Sequence, residues 1–164
     1  MAKTYEPIAT TTLTSNQTSV SLSSIPATYT DLVLVCSVNY DTTGSNILMG
    51  YNGDTGSNYS STILAGNGTS PVSARFSNSI TGWILDYYAG TANEYFTKVI
   101  SINNYSNITT FKIGLCRSSS ASKEAVATVG LWRNTAAINQ ITLSAGGANF
   151  QAGSTFTLYG IKAA

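Results

Sequence analysis

Short apolar segments, separated at regular intervals by turn-forming residues, run through the whole 164-residue chain. No segment sustains the 3.6-residue periodicity of an amphipathic helix. About ten short strands with turn signals between them predict an all-β fold, an antiparallel β-sandwich that is jelly-roll-like, with a barrel as the less favoured alternative. The predicted strands are 4–13, 18–24, 32–40, 46–51, 59–65, 95–102, 108–117, 125–132, 138–143 and 154–162, with short strands joined by loops over 66–93.

The length of the chain predicts a single domain. A chain of 164 residues can bury roughly 70% of the surface that it exposes when unfolded, and no linker divides it. We therefore expect one β-sandwich domain over 1–164. Within it, 1–24 is expected to be an arm or a set of edge strands that contacts neighbouring molecules.

The stretch 25–40 predicts the central strand. Five consecutive apolar residues, 32–36, follow turn residues, as in a strand that is buried on both faces. Side chains alternate along a strand, so one face is apolar along its whole length. That face carries Leu32, Leu34, Cys36, Val38 and Tyr40. The opposite face carries Val33 and Val35, which we expect a loop or a neighbouring subunit to cover in part.

Several local signals predict turns and strand faces. The segment 15–17 predicts a hairpin loop, and Asn52-Gly53 predicts a hairpin between 46–51 and 59–65. A second Asn-Gly pair at 67–68 ends the latter strand. Within 108–117 the alternation predicts that Phe111, Ile113 and Leu115 point inward and that Thr110 and Lys112 point outward. Gly114 and Gly130 inside strands indicate bulges or close packing.

The low charge of the chain excludes several classes of partner. The net charge is +1, only 9% of residues are charged, and the Lys and Arg residues are dispersed. A nucleic-acid-binding protein needs clustered cations, so no nucleic acid is expected as a partner. No apolar run approaches the ~20 residues of a membrane span, and no secretory signal is present, so a role outside the cell would require assembly and lysis. Cys36 and Cys116 are expected to be buried free thiols.

The chain has no histidine, which removes the usual nucleophilic triads and the commonest metal ligand. The seven carboxylates are scattered singly, although folding could bring two together as in a glycosidase. The Asp54-Thr55-Gly56 triplet and the Ser120-x-x-Lys123 pattern both lie in predicted loops, without the partner motifs of aspartic proteases or penicillin-recognising enzymes. Calcium-like spacing after Asp54 lacks a bidentate glutamate. We predict no enzyme activity, cofactor or metal.

One aromatic cluster, 83–95, is the candidate binding surface. It contains Trp83, Tyr87, Tyr88 and Tyr95. Such side chains dominate interfaces and sugar-stacking platforms, but they also fill cores. Three alternatives stay open for them: the core or the bracing of a loop, a subunit or particle interface, and a ligand face.

Both ends of the chain resemble a family of small structural proteins of tailed bacteriophages, many from aquatic hosts. The resemblance lies in YEPIAT at 5–10, SSIPATYTDLVL at 23–34, GLWRNTAAINQITL at 130–143, Phe150, and GSTFTLYGIK at 153–162. The resemblance implies a non-enzymatic virion component that is built as a trimer. Members of the family are described as virion structural, head-decoration or tail-fibre-like proteins.

Two functions are compatible with this resemblance. The first is a capsid decoration protein that binds the major capsid protein or another virion protein, with an interface partly formed by Val33, Val35 and the loop aromatics. The chain is short and its sequence predicts no coiled-coil or β-helical shaft, which favours this function over a stand-alone fibre. The alternative is a receptor- or glycan-binding module of a tail fibre or head fibre. That alternative predicts exposed rings in 83–95.

Overall fold

The computed structural model describes residues 4–43, 46–79, 81–120 and 122–162, and for 78–79 it describes the backbone only. These residues form twelve β-strands. In chain order they are β1 (Tyr5–Thr12), β2 (Ser19–Leu22), β3 (Asp31–Val38), β4 (Leu48–Tyr51), β5 (Tyr59–Gly66), β6 (Pro71–Ser79), β7 (Trp83–Ile84), β8 (Phe96–Asn103), β9 (Lys112–Ser120), β10 (Glu124–Trp132), β11 (Ile141–Ser144) and β12 (Thr155–Ile161).

The strands form two antiparallel sheets. The large sheet has eight strands in the order β1-β12-β3-β8-β9-β10-β5-β6, and the small sheet has four in the order β2-β11-β4-β7. The prediction of an all-β antiparallel sandwich is therefore confirmed. The finer prediction of a jelly roll is not confirmed by this strand order. Among the described residues, none belongs to a helix that could cross a bilayer.

The main core lies between the two sheets, and β3 contributes to it as predicted. Leu32, Leu34, Cys36 and Val38 are fully buried, and Tyr40, just beyond the strand, is 1% exposed. In the large sheet β3 lies between β12 and β8. Cys36 and Cys116 are free and buried, as expected for two small apolar side chains in strands.

Two predicted hairpins are wrong. β1 pairs with β12 in the large sheet, whereas β2 pairs with β11 in the small sheet, so the loop at 15–17 crosses between sheets. β4 and β5 also lie in different sheets. β1 and β2 each lie at the edge of their sheet, and the predicted contact of 1–24 with neighbouring molecules stays a prediction.

The Asn52-Gly53 pair still forms a tight turn, because both residues have positive φ angles, 52° and 68°. The amide of Asp54 donates to the carbonyl of Tyr51 at 2.9 Å. The Asn52 side chain, however, binds the 137–140 segment: its Nδ2 donates to the carbonyl of Ala137 at 2.8 Å. The turn therefore connects the two sheets. β4 pairs with β11 and β7, and β5 pairs with β10 and β6, so the two strands do not pair with each other.

The predicted orientation of β9 is inverted. Lys112, Gly114 and Cys116 point inward, whereas Ile113 and Leu115 are 57% and 43% exposed. Phe111, just before the strand, is 53% exposed. The Trp83 ring occupies the inner side of Gly114, where a Cβ would lie 2.9 Å from Cη2. Because a register slip by one residue would place a branched side chain against this ring, the inverted orientation is the one that packs.

The structure has twelve strands where about ten were predicted. The largest addition is β6, a nine-residue strand in the segment that was predicted to consist of short strands and loops. β6 forms the edge of the large sheet and pairs only with β5, through the Asn-Gly turn at 67–68. An edge strand that begins with Pro71 and is rich in serine has little apolar alternation, so its sequence resembles a loop.

Candidate functional site: the outer face of the large sheet

The large sheet has an inner face, which packs on the small sheet, and an outer face, which points away from it. Outer-face side chains follow from the strand register. One row across the sheet is formed by Tyr159, Val33, Ser101, Leu115, Val129, Thr62 and Arg75. The next row is formed by Thr157, Val35, Val99, Arg117, Ala127, Leu64 and Ser73.

The middle of the outer face exposes large apolar side chains on adjacent strands. Val129 is 47% exposed and Leu64 is 62% exposed, beside Ile113 and Leu115 of β9. Leu115 and Val129 are directly opposite each other on β9 and β10. Single exposed apolar residues are common on protein surfaces, but a contiguous group on one flat face is typical of an interaction site. We call Leu64, Val129, Ile113 and Leu115, which lie on the adjacent strands β5, β10 and β9, the apolar row.

Two arginines border the apolar row. Arg117 lies two residues after Leu115 on β9, and Arg75 lies at the β6 end of the row that contains Leu115 and Val129. Both are exposed. No described residue that points outward from β5, β6, β8, β9 or β10 is acidic. This part of the face therefore carries positive charge without a local counter-charge.

Two open depressions lie on this face. The first, of about 540 Å³, is lined by residues of β8, β9 and β10, among them Leu115 and Val129, and by Phe111 just before β9. The second, of about 580 Å³, extends from Leu64 to Arg117 across β5, β6, β9 and β10. Both are shallow and apolar at their centre, which suits a protein surface better than an enclosed small molecule.

The dimensions of the face are those of a protein interface. Eight strands about 4.8 Å apart and roughly seven residues long at about 3.3 Å per residue give a face of roughly 900 Å². A stable interface takes about 800 Å² from each partner. The face as a whole is therefore large enough for a specific complex.

The sequence-predicted site residues do not form one surface. Val33 and Val35 lie on the outer face, on β3, where Val33 is 9% exposed and Val35 is half-buried. Trp83 is 1% exposed and belongs to the core between the sheets, so the core alternative holds for it. Its indole is the cross-sheet contact to β9 and β10.

Two of the three tyrosines of the aromatic cluster, Tyr87 and Tyr88, lie on the inner side of the large sheet. Tyr87 and Tyr88 are half-buried, with ring centroids 4.9 Å apart at 86°. They pack against a small cluster of Ile63, Ala65 and Val126 on the inner side of the large sheet. Tyr95 is 53% exposed. Tyr87 and Tyr88 therefore lie across the large sheet from Val33 and Val35, and the predicted role of these residues in an interface stays a prediction.

The Asp54 loop is a structural turn. One carboxylate oxygen of Asp54 accepts the Gly56 amide at 2.8 Å, and the other accepts the Asn58 side chain at 2.9 Å and the Trp132 indole N–H at 2.7 Å. Burial raises the pKa of this carboxyl, but the hydrogen bonds from Trp132, Asn58 and Gly56 outweigh it and hold the pKa below its usual value. In the described ranges, no three metal-ligating side chains converge.

No family model matches the chain, and no curated protein matches it.

Proposed function

We propose that the chain is a non-enzymatic structural protein of a tailed-phage virion, a decoration protein that attaches to the assembled shell through the outer face of its large sheet. The observation that carries this proposal is the apolar row, exposed between Arg75 and Arg117 on a face large enough for an interface. The phage assignment rests on the resemblance of the two chain ends, and the sheet face supplies the means of attachment.

The partner that fits this face is the major capsid protein, presenting apolar side chains bordered by carboxylates. Apolar contacts at the centre would supply most of the affinity, because rim charges contribute mainly to orientation and to the association rate. Attachment should therefore weaken only moderately when salt screens the arginines. The resemblance also implies a homotrimer, which would present three such faces to the shell and raise the avidity of attachment.

Such a protein acts by mass action. If it binds the assembled shell and not the free capsid subunit, its binding free energy adds to the stability of the shell. No catalytic residue is needed for this role, and a stable sandwich with a large buried core suits it.

The alternative function, receptor or glycan binding by a fibre, depends on exposed rings in the 83–95 cluster. Trp83 is buried, and Tyr87 and Tyr88 are half-buried, so Tyr95 is the ring of this cluster that is available for stacking. One exposed tyrosine is a small platform compared with the apolar row. We therefore place the outer face, and not the aromatic cluster, at the centre of the proposal.

The test is co-sedimentation of the purified protein with shells that lack it. Wild type should bind, and the L115R/V129R double variant should lose at least tenfold in affinity, since two charges would be placed in the centre of the interface. Ser19→Arg is the matched control, because Ser19 is exposed on the small sheet, on the far side of the sandwich. Full binding by the double variant would contradict the proposed face.

Copy number distinguishes the two functions. Gel densitometry of purified virions against the major capsid protein should give a ratio near one or a simple fraction of it, corresponding to hundreds of copies. A handful to a few tens of copies would contradict decoration and favour a tail, vertex or fibre position. A monomeric protein that does not bind undecorated shells would contradict both the trimer and the decoration role.

A further inference from the structure

The core contains a buried lysine–aspartate pair. The Nζ of Lys98 on β8 is in contact with Oδ1 of Asp86, which lies in the loop after β7. The lysine side chain is 0% exposed and the aspartate side chain is 3% exposed. Burial of two charges carries a large desolvation cost, and only excellent geometry compensates for it. Chemistry that leaves the pair without charges would remove this cost.

The surroundings of the pair orient it. Oδ2 of Asp86 accepts the backbone N–H of Ile47 at 3.1 Å. The hydroxyl of Ser118 lies between the two reactive groups: it accepts from Nζ of Lys98 at 2.7 Å and can donate to Oδ1 of Asp86 at 3.1 Å. The Phe96 ring closes one side, with its centroid 5.7 Å from Nζ. The amine, the carboxyl and a hydroxyl between them are thus held together away from solvent.

A second carboxyl group is buried close to this pair. Glu124 is 4% exposed, and its Oε2 accepts the backbone N–H of Tyr88 at 3.0 Å. Its Oε1 is buried without a hydrogen-bond partner among the described residues. Burial, and then the charge of Asp86, raise the pKa of Glu124 to about 7, with Lys98 acting in the opposite direction. The raised pKa of Glu124 indicates that this part of the core favours the neutral form of a carboxyl group.

We propose that Lys98 and Asp86 form an intramolecular isopeptide bond, joining Nζ of Lys98 to Cγ of Asp86. The reaction is a condensation: one N–C bond forms, the bond between Cγ and Oδ1 breaks, and one water molecule leaves. No oxidant, metal or other co-reactant is consumed.

The residues around the pair supply each proton movement. After proton transfer from Nζ to Oδ1, the neutral amine attacks Cγ, and the negative charge that develops on Oδ2 is stabilised by the Ile47 N–H. A second proton leaves Nζ and reaches Oδ1 through the hydroxyl of Ser118. Oδ1 then departs as water, the carbonyl at Oδ2 reforms, and Nζ keeps one hydrogen as an amide. The three hydrogens of the ammonium group are thus accounted for.

The bond would tie the loop after β7 to the middle of the large sheet. Asp86 lies twelve residues before Lys98, so the bond would close a ring that contains the aromatic cluster 83–95 in part. A covalent link of this kind acts as a disulfide does, but it cannot be reduced. It would be useful to a particle protein that must survive outside a cell, although the chemistry does not depend on that function.

The decisive measurement is the intact mass of the purified full-length chain after denaturation. We expect a mass about 18 Da below that of the sequence, after allowance for the N-terminal methionine, because one water is lost. Trypsin should fail to cleave after Lys98 and should yield 76–112 as one fragment with the same deficit. Chymotrypsin, which cleaves between 86 and 98, should leave two pieces covalently joined. A full mass with linear fragments 76–98 and 99–112 would overturn the proposal.

Three variants assign the roles. Lys98→Arg should show the full mass, because a guanidinium does not form the amide. Asp86→Asn should show a deficit of about 17 Da where it reacts, since ammonia leaves in place of water. In Ser118→Ala, the linked fraction formed per hour after synthesis should fall at least tenfold, because the hydroxyl between Nζ and Oδ1 is removed; an unchanged rate would overturn the role of Ser118. If the Lys98 variant fails to fold, the wild-type mass and fragment map still decide.

Discussion

The indole ring of Trp83 lies on the backbone of Gly130, in the volume that any side chain at residue 130 would occupy. Trp83 belongs to β7 of the small sheet, and Gly130 belongs to β10 of the large sheet. The same ring reaches Gly114, which is opposite Gly130 on β9. Two glycines on adjacent strands therefore form a recess for one tryptophan, and this contact joins the sheets.

Gly130→Ala should destabilise the fold by about 1–3 kcal/mol, because the added Cβ would overlap the Trp83 ring and force it to move. Urea unfolding followed by tryptophan fluorescence measures this change. Gly66→Ala is the matched control, since no atom lies within 4 Å of a Cβ at residue 66. It should change the free energy of unfolding by no more than about 0.5 kcal/mol. Equal effects of the two substitutions would show that the ring does not occupy the recess.

The recess formed by Gly114 and Gly130 also shows why the orientation of β9 could not be predicted from sequence, whereas that of β3 could. The strand β3 was predictable because its five-residue apolar run is buried on one face and covered in part on the other. In β9 the larger apolar residues, Ile113 and Leu115, favoured the wrong face, since alternation alone assigns apolar residues to the core. The inner face of β9 instead carries Lys112, Gly114 and Cys116. A glycine in each of two neighbouring strands was the signal for a large ring above them.

The candidate site was only partly predictable for the same reason. Alternation places Val33 and Val35 correctly on the face opposite the core, but it assigns Ile113 and Leu115 of the apolar row to the interior. Lys98 and Asp86 are isolated charges in the sequence, because their contact depends on a loop of the small-sheet side reaching the large sheet. Sequence spacing contains no information about such a contact.

Substitution of matched isoleucines on the two faces tests the orientation of the large sheet. Ile100 on β8 is fully buried, whereas Ile113 on β9 is 57% exposed. Ile100→Ala should cost about 2–5 kcal/mol of stability, and Ile113→Ala should change it by no more than about 0.5 kcal/mol. Denaturant unfolding of both variants measures the difference. A large loss for Ile113→Ala in the isolated protein would mean that the outer face is covered within a stable oligomer.

The stability of the protein should depend on the protonation of Glu124. Burial raises the pKa of this carboxyl from 4.5 to about 7, so the folded state binds its proton more tightly than the unfolded state does. The stabilisation is therefore fully present below pH 4.5 and is lost as the pH rises through about 7. In Glu124→Gln the side chain stays neutral at every pH. The free energy of unfolding of wild type minus that of Glu124→Gln should therefore decrease as the pH rises from 4.5 to about 7.

Glu94 provides a control of opposite sign. Hydrogen bonds from the hydroxyls of Ser120 and Ser122 hold the pKa of Glu94 below 4.5, so its contribution is present above that pH and is lost on acidification. Glu94→Gln should therefore lower stability at neutral pH and have little effect in acid. Glu124→Gln should also have little effect in acid, but it should raise stability relative to wild type at pH 8. Chemical denaturation of the three proteins in buffers from pH 4 to 8 gives both differences. Parallel pH profiles for wild type and Glu124→Gln would mean that the Glu124 carboxyl is solvated in the folded protein.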